Sequence, residues 1–244
     1  MSSEIKADKW SPASGTAGTI GDNGDTFTVP SGVTLDIASG ATADFTGATV
    51  TGLTDNNTWV LLDDTYISSS TASVTYSSSL ITDTYEQYVI TGSAIQVASA
   101  GSGNIALYVS ADNGSSYYSG GTDYSRSVYV GQSALSSNTV ISRSGDAGAV
   151  EVTGNAYDFG QGAYGNASFV VRCFNLKNLA TGSGARRLFE VFSVYMDKDS
   201  TSNFVCNQGM AFFKGATGEI NNIKLSLSHS NTFAEGEFRL YGLK

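Results

Sequence analysis

The stretch from Tyr85 to Tyr124 constrains the fold most. Ile105, Leu107 and Val109 alternate with Ala106, Tyr108 and Ser110, so one face of this segment is strongly apolar. With Tyr85-Glu86-Gln87-Tyr88-Val89-Ile90-Thr91 before it, the stretch reads as a hairpin of two β-strands and a tip. Asp112-Asn113-Gly114 follows, and Asn-Gly accepts positive φ at both central positions of a type I′ turn. A hairpin buries only one face, so a second sheet has to cover it.

The rest of the chain repeats this pattern. Apolar segments are expected as strands at 59–66, 73–76, 85–97, 105–110, 127–130, 139–143, 150–153, 168–176, 188–196, 204–205, 210–214, 223–229 and 237–240, with Gly, Asn, Asp and Ser between them. No segment sustains a 3.6-residue period, and 28 glycines argue against long helices. Only 14% of residues are charged, so the polar surface has to be built from Ser, Thr, Asn and Gly, which suits sheets. The expected fold is all-β, an antiparallel, jelly-roll-like sandwich over residues 54–244. Phe169–Phe174 and Phe189–Tyr195 are apolar on both faces, so they are expected either to be sandwiched or to face another subunit.

The N-terminal quarter reads differently. Residues 1–26 form a polar lead-in whose one large aromatic residue, Trp10, packs either on a partner or on its own domain. Ser31-Gly32-Val33-Thr34-Leu35-Asp36-Ile37 is echoed by Ser39-Gly40-Ala41-Thr42-Ala43-Asp44-Phe45, and more loosely by Thr46-Gly47-Ala48-Thr49-Val50-Thr51-Gly52-Leu53. Units this short cannot bury a core alone. Residues 27–53 are therefore read as a short β-stalk closed by three chains, the alternative being one hairpin packed on the larger domain.

Charge and chemistry exclude several classes. A net charge of −9 disfavours nucleic acid, and no apolar run approaches the roughly 18 residues of a membrane span. The N-terminus shows no signal-peptide core, so no export signal is expected. Cys173 and Cys206 sit in apolar contexts and are expected as thiols rather than a bridge. His229 is the only histidine and reads as structural, which leaves no triad and no zinc set. Asp63-Asp64 point to opposite faces of a strand, and Asp197 and Asp199 read as a solvated turn. No catalytic residue, cofactor or metal is expected.

Aromatic residues in Gly-rich loops are the remaining functional signal. One group lies at 112–124, with Asp112, Asn113, Tyr117 and Tyr118. The other lies at 155–166, with Tyr157, Phe159 and Tyr164 as rings, Asp158, Gln161 and Asn166 as polar partners, and Gly160, Gly162 and Gly165 beside them. Rings stack on apolar sugar faces while amides and carboxylates take hydroxyls. The same rings could equally plug the sandwich ends or a subunit interface.

Three stretches carry a family resemblance. Ser3-Glu4-Ile5-Lys6 through Ser11-Pro12 resembles the lead-in of tail-fibre proteins of marine and freshwater bacteriophages. Residues 25–53 resemble their stalk repeats. Tyr85-Glu86-Gln87-Tyr88, Leu107-Tyr108-Val109-Ser110-Ala111-Asp112-Asn113-Gly114 and the ending Arg239-Leu240-Tyr241-Gly242 are similar to their C-terminal β-sandwich. Residues 125–222 carry no such likeness. The resemblance implies a homotrimer in the virion, assembled in the host cytoplasm. Its N-terminal arm, with Ile5 and Trp10, would contact other virion proteins, and its head would contact a host-surface glycan or protein. It implies no catalytic residues, no nucleic-acid partner and no membrane insertion. Two alternatives stand beside it, a trimeric capsid-decoration or head-fibre protein and a small polysaccharide-degrading tailspike.

Overall fold

The computed structural model describes residues 59–98, 103–133, 138–154, 159, 166–177, 186–197, 203–215, 219–228 and 230–244. The chain divides into two units, 1–54 and 55–244, and every described residue belongs to the second. The arm with Ile5 and Trp10, the repeat at 27–53, and His229 lie outside the described residues.

Twelve strands are present among the described residues: β1 (Val60–Ile67), β2 (Ser73–Tyr76), β3 (Gln87–Val97), β4 (Ile105–Ser110), β5 (Tyr124–Ser133), β6 (Asn138–Ala147), β7 (Val150–Glu151), β8 (Ala167–Phe174), β9 (Arg187–Met196), β10 (Phe204–Phe213), β11 (Asn222–Leu227) and β12 (Phe233–Leu243). No helix occurs among the described residues, and every strand pair is antiparallel. The fold is all-β. An eight-stranded sheet runs β1-β12-β3-β8-β9-β10-β5-β6, and a four-stranded sheet runs β2-β11-β4-β7. Their facing side chains form one core: Val74, Tyr76, Leu107, Ile223 and Leu225 from the small sheet meet Tyr88, Ile90, Phe169, Val171, Phe189, Phe213 and Phe238 from the large one.

The chain winds between the sheets. β1 pairs with β12 and β2 with β11, so the beginning and end of the described chain lie side by side in both layers. β3 then joins β12, and β4 joins β11. Two further pairs, β5–β6 and β9–β10, enter only the large sheet and widen it beyond β8.

The hairpin expected from residues 85–110 is not formed. β3 pairs with β12 and β8, whereas β4 pairs with β11 and β7 in the other sheet. Alternation specifies which face is buried, and it is silent about which backbone lies alongside. The Asn-Gly turn itself forms. Asn113 and Gly114 have φ of 60° and 82°, and the Ser115 N–H donates to the Asp112 carbonyl at 3.3 Å. A Cβ on Gly114 would also come within 2.9 Å of Asn222 Nδ2. This turn leads the chain across to the other layer rather than into a paired strand.

Two short segments at 204–205 and 210–214 are one ten-residue strand, β10. Cys206-Asn207-Gln208-Gly209 interrupts the apolar pattern, yet the ladder runs through it on both sides. Gly209 fits because a Cβ there would lie 2.4 Å from the Ser127 carbonyl oxygen. Likewise β12 is much longer than residues 237–240, because register shifts around Glu235 hide its start.

Both cysteines are free. Cys173 alternates into the core with Phe169 and Val171, whereas Cys206 pairs with Val194 on the opposite, outward face, so a bridge is geometrically excluded. Burial holds the Cys173 thiol well above its ordinary pKa and raises that of Cys206 less. Native protein treated with iodoacetamide at pH 8 is therefore expected to leave Cys173 unmodified and to label Cys206 slowly, with both labelled fully after unfolding. Mass spectrometry of the two peptides checks this.

Candidate functional site

The large sheet is wider than the small one, and the mismatch opens a cleft. β7 ends the small sheet after two residues, while β5 and β6 continue the large sheet beyond it. The cleft has a volume of about 520 Å³. Its walls are Tyr108 and Asn104 at β4, Glu151 and Thr153 at β7, Arg126 on β5, and Asp146 at the end of β6. Ser119 and Gly121 close one side.

Arg126 lies in phase with Tyr124, Val128 and Val130, so its side chain projects to the inner face among apolar neighbours. Arg143 sits opposite Val128 and shares that face. Glu151 is held against them from β7. Its Oε1 accepts a hydrogen bond from Arg126 and lies 3.9 Å from Arg143 Nη1. The Glu151 side chain is only 9% exposed and that of Arg126 17%. Carboxylates are rarely buried so far unless paired. Oε2 of Glu151, Nε of Arg126 and Nη1 of Arg143 have no hydrogen-bond partner among the described residues.

The wall carrying Glu151 is fixed from below. Asn207, fully buried on β10, donates from Nδ2 to the carbonyls of Val152 (3.1 Å) and Glu151 (3.4 Å). Tyr195 donates its hydroxyl proton to the Gly154 carbonyl at 3.1 Å. Thr153 Oγ1 accepts from the Ile105 N–H at 2.7 Å, tying the segment to β4. Lys214 meets Asp146 at 2.7 Å, which leaves that carboxylate neutralised at the rim.

The cluster has a definite hydrogen-bonding demand. A carboxylate oxygen needs a donor, and two guanidinium nitrogens need acceptors. A hydroxyl supplies both. An anion would satisfy the arginines but would confront Glu151, so the set favours a neutral polyol. Tyr108, with its hydroxyl pKa raised by burial, adds an aromatic wall.

Of the two aromatic loops expected to bind, several of the described residues make contacts within the head. Tyr118 packs on Phe213, ring centroids 4.6 Å apart, at the edge of the core. Tyr117 donates its hydroxyl to Asn222 Oδ1 at 2.7 Å, and Lys224 Nζ stands 4.1 Å from its ring centroid. Asn113 is exposed, and its backbone N–H donates to Asn221 Oδ1 at 3.0 Å. Phe159 is fully buried against Tyr195. Asn166 is exposed beside β8. Tyr157, Asp158, Gln161 and Tyr164 lie outside the described residues. The first loop does reach the cleft, through Ser119 and Gly121 rather than its tyrosines.

Asp112 serves its own turn. Its carboxylate accepts from the Ser110 hydroxyl at 2.7 Å and from the Ser116 hydroxyl and N–H at 2.6 and 2.9 Å, and these bonds hold its pKa down to about 2. A depressed folded pKa means the stabilisation is complete above the ordinary carboxylate value of about 4 and is lost as pH falls toward the folded value. NMR titration is expected to show the amides of 113–116 moving between about pH 4 and 2, and Asp112→Asn to abolish the transition. Asp197, read as part of a solvated turn, is instead buried and accepts a hydrogen bond from the Gln132 side chain.

The sequence held a signal for the cleft that residue type alone conceals. Arg126 stands in the apolar phase of its strand, and Glu151 lies between two buried valines. A charge in phase with core residues demands a buried partner. Comparison of the chain with family models, curated proteins and solved structures finds no match.

Proposed function

We propose that this chain is a bacteriophage fibre protein, a homotrimer of the virion whose β-sandwich head binds a host-surface glycan in the Glu151 cleft. The observation that carries the binding half is the buried cluster of Glu151, Arg126 and Arg143, in which Glu151 Oε2, Arg126 Nε and Arg143 Nη1 have no hydrogen-bond partner among the described residues. The virion half rests on the resemblance of residues 3–53. In this reading the head is a jelly roll: the order β1-β12-β3-β8 against β2-β11-β4-β7 is that of two interlocked Greek keys, with β9-β10-β5-β6 added to one sheet. That architecture recurs in viral capsid and lectin domains, so it supports a virion role without selecting one.

The test is titration of host-derived polysaccharide into the full-length protein. Glu151→Gln keeps the side-chain volume and replaces the acceptor by an amide. A hydrogen bond to a charged group contributes about 1.5–3 kcal/mol, so binding should weaken about tenfold or more, with circular dichroism verifying that the variant keeps its β-fold although Arg126 loses its countercharge. Unchanged affinity places the glycan elsewhere. Absence of any binding by the wild-type protein, together with its location on the capsid, favours a decoration protein. Release of reducing sugar that Glu151→Gln abolishes favours the tailspike, with Glu151 and Asp146 as its two carboxylates.

A further inference from the structure

The outer face of the large sheet carries charged and hydroxyl side chains at its margins, beside Leu61 and Tyr66 exposed on β1, and is apolar across its middle. Over β1, β12 and β3 it carries Asp64, paired with Arg239 at 3.3 Å, and Thr91. Over β5 and β6 it carries Ser127, Ser142 and Ser144. Between them, β8, β9 and β10 turn large apolar side chains outward. Phe192 is 45% exposed, Val194 40%, Phe204 54% and Met210 51%, with Tyr129 at 59% beside them on β5. Val170 stands next to Phe192, and Gln208 lies between Phe192 and Tyr129, so the group is continuous across four strands. A single exposed apolar residue is unremarkable, but a connected face of this kind marks an interaction surface.

We infer that this face is where a second copy of the same chain docks, and that it is the head's own subunit interface. Charge argues for a copy. The protein carries −9 overall, so like chains repel unless they meet on neutral ground. The charged residues at the outward positions of β8, β9 and β10 are Arg172 and Glu190, which pair with each other at 3.1 Å and cancel. A partner chosen by charge would find nothing to read there. Shape argues the same way. Val170, Arg172, Glu190, Phe192 and Gln208 surround a hollow of about 320 Å³, and Met210 and Phe204 protrude nearby. One face thus offers both a knob and a hole, so the knob of one chain can enter the hole of the next around a closed ring. Four strands of eight to ten residues span on the order of 600 Å², close to the roughly 800 Å² per partner of a stable interface.

The number of copies, three, rests on the trimeric fibre reading; the face itself does not. The full-length protein is examined by light scattering beside Phe192→Glu/Met210→Glu, with circular dichroism to verify the β-fold. The expected result is a threefold fall in mass, from three chains to one. A wild-type dimer that the variant dissolves supports the face and overturns the trimer. A trimer that the variant leaves intact, and in which benzoylphenylalanine at position 192 gives no crosslink between chains through β8–β10, overturns the face and leaves the stalk reading standing. Should the variant fail to fold, benzoylphenylalanine at position 192 decides. Photo-crosslinks between chains that map to β8–β10 support the interface. Crosslinks only to residues 1–54 of the same chain overturn it.

Discussion

Arg126→Ala is expected to lower the stability of the protein by about 3 kcal/mol, because it leaves Glu151 buried without its principal countercharge. Surface ion pairs contribute about 0–1 kcal/mol, so burial decides the size of the effect. Here the two side chains are 17% and 9% exposed, and Arg126 donates to Oε1 of the carboxylate. Arg143 at 3.9 Å remains and moderates the loss, which is why the lower end of the range for broken buried pairs, about 3–5 kcal/mol, applies. For a unit of this size that corresponds to a fall in melting temperature of about 10 °C. Replacing both partners, as Arg126→Met with Glu151→Leu, should restore most of the stability while abolishing ligand binding. Urea unfolding of the two variants and the wild type measures this. A loss under about 1 kcal/mol for Arg126→Ala would mean that solvent screens the pair, and the case for Glu151 as a buried acceptor would fail with it.

Phe213→Ala is expected to have an effect as large, about 3–5 kcal/mol, for a different reason. Phe213 is 1% exposed and gathers three elements. Its ring lies 4.6 Å from that of Tyr118 and 5.4 Å from that of Tyr124, and the Arg187 guanidinium stands 5.8 Å above it. Tyr124 in turn donates its hydroxyl proton to the Tyr118 carbonyl at 3.2 Å and accepts from the Val109 N–H at 3.0 Å. Truncation therefore removes the packing that holds the 118–121 segment against β4, and that segment is one wall of the cleft. Ligand affinity should fall along with stability. Tyr117→Ala serves as the contrast, since its ring is only partly buried and packs outside the core, with an expected loss near 1 kcal/mol. Equal losses for the two would show that the loop is held by its polar contacts rather than by Phe213.

The candidate site was poorly legible in the sequence, and the reason is particular. Reading for recognition chemistry favours rings in Gly-rich loops, and two of those rings, Tyr118 and Phe159, are structural here. A tyrosine between serines looks alike whether it faces solvent or plugs a sandwich. The cleft instead draws single residues from segments separated by as many as 124 positions, Asn104, Glu151 and Ser228 among them, with no spacing motif to join them. What could have been read is the phase error: Arg126 occupies a core position in an alternating strand.

Local alternation determined the all-β class of this chain and the extent of strands such as β2 and β4, because which face a side chain occupies follows from the two-residue repeat of an extended backbone. It determined as well that Ile105, Leu107 and Val109 would be buried together. Which strands pair was left to the tertiary structure. Ladder bonds join backbone groups that every residue shares, so β3 and β4, adjacent in the chain, could part into opposite sheets without any change in their patterns. The unequal widths of the two sheets, and with them the cleft on one face and the open apolar surface on the other, arise only once β5–β6 and β9–β10 have joined the same edge.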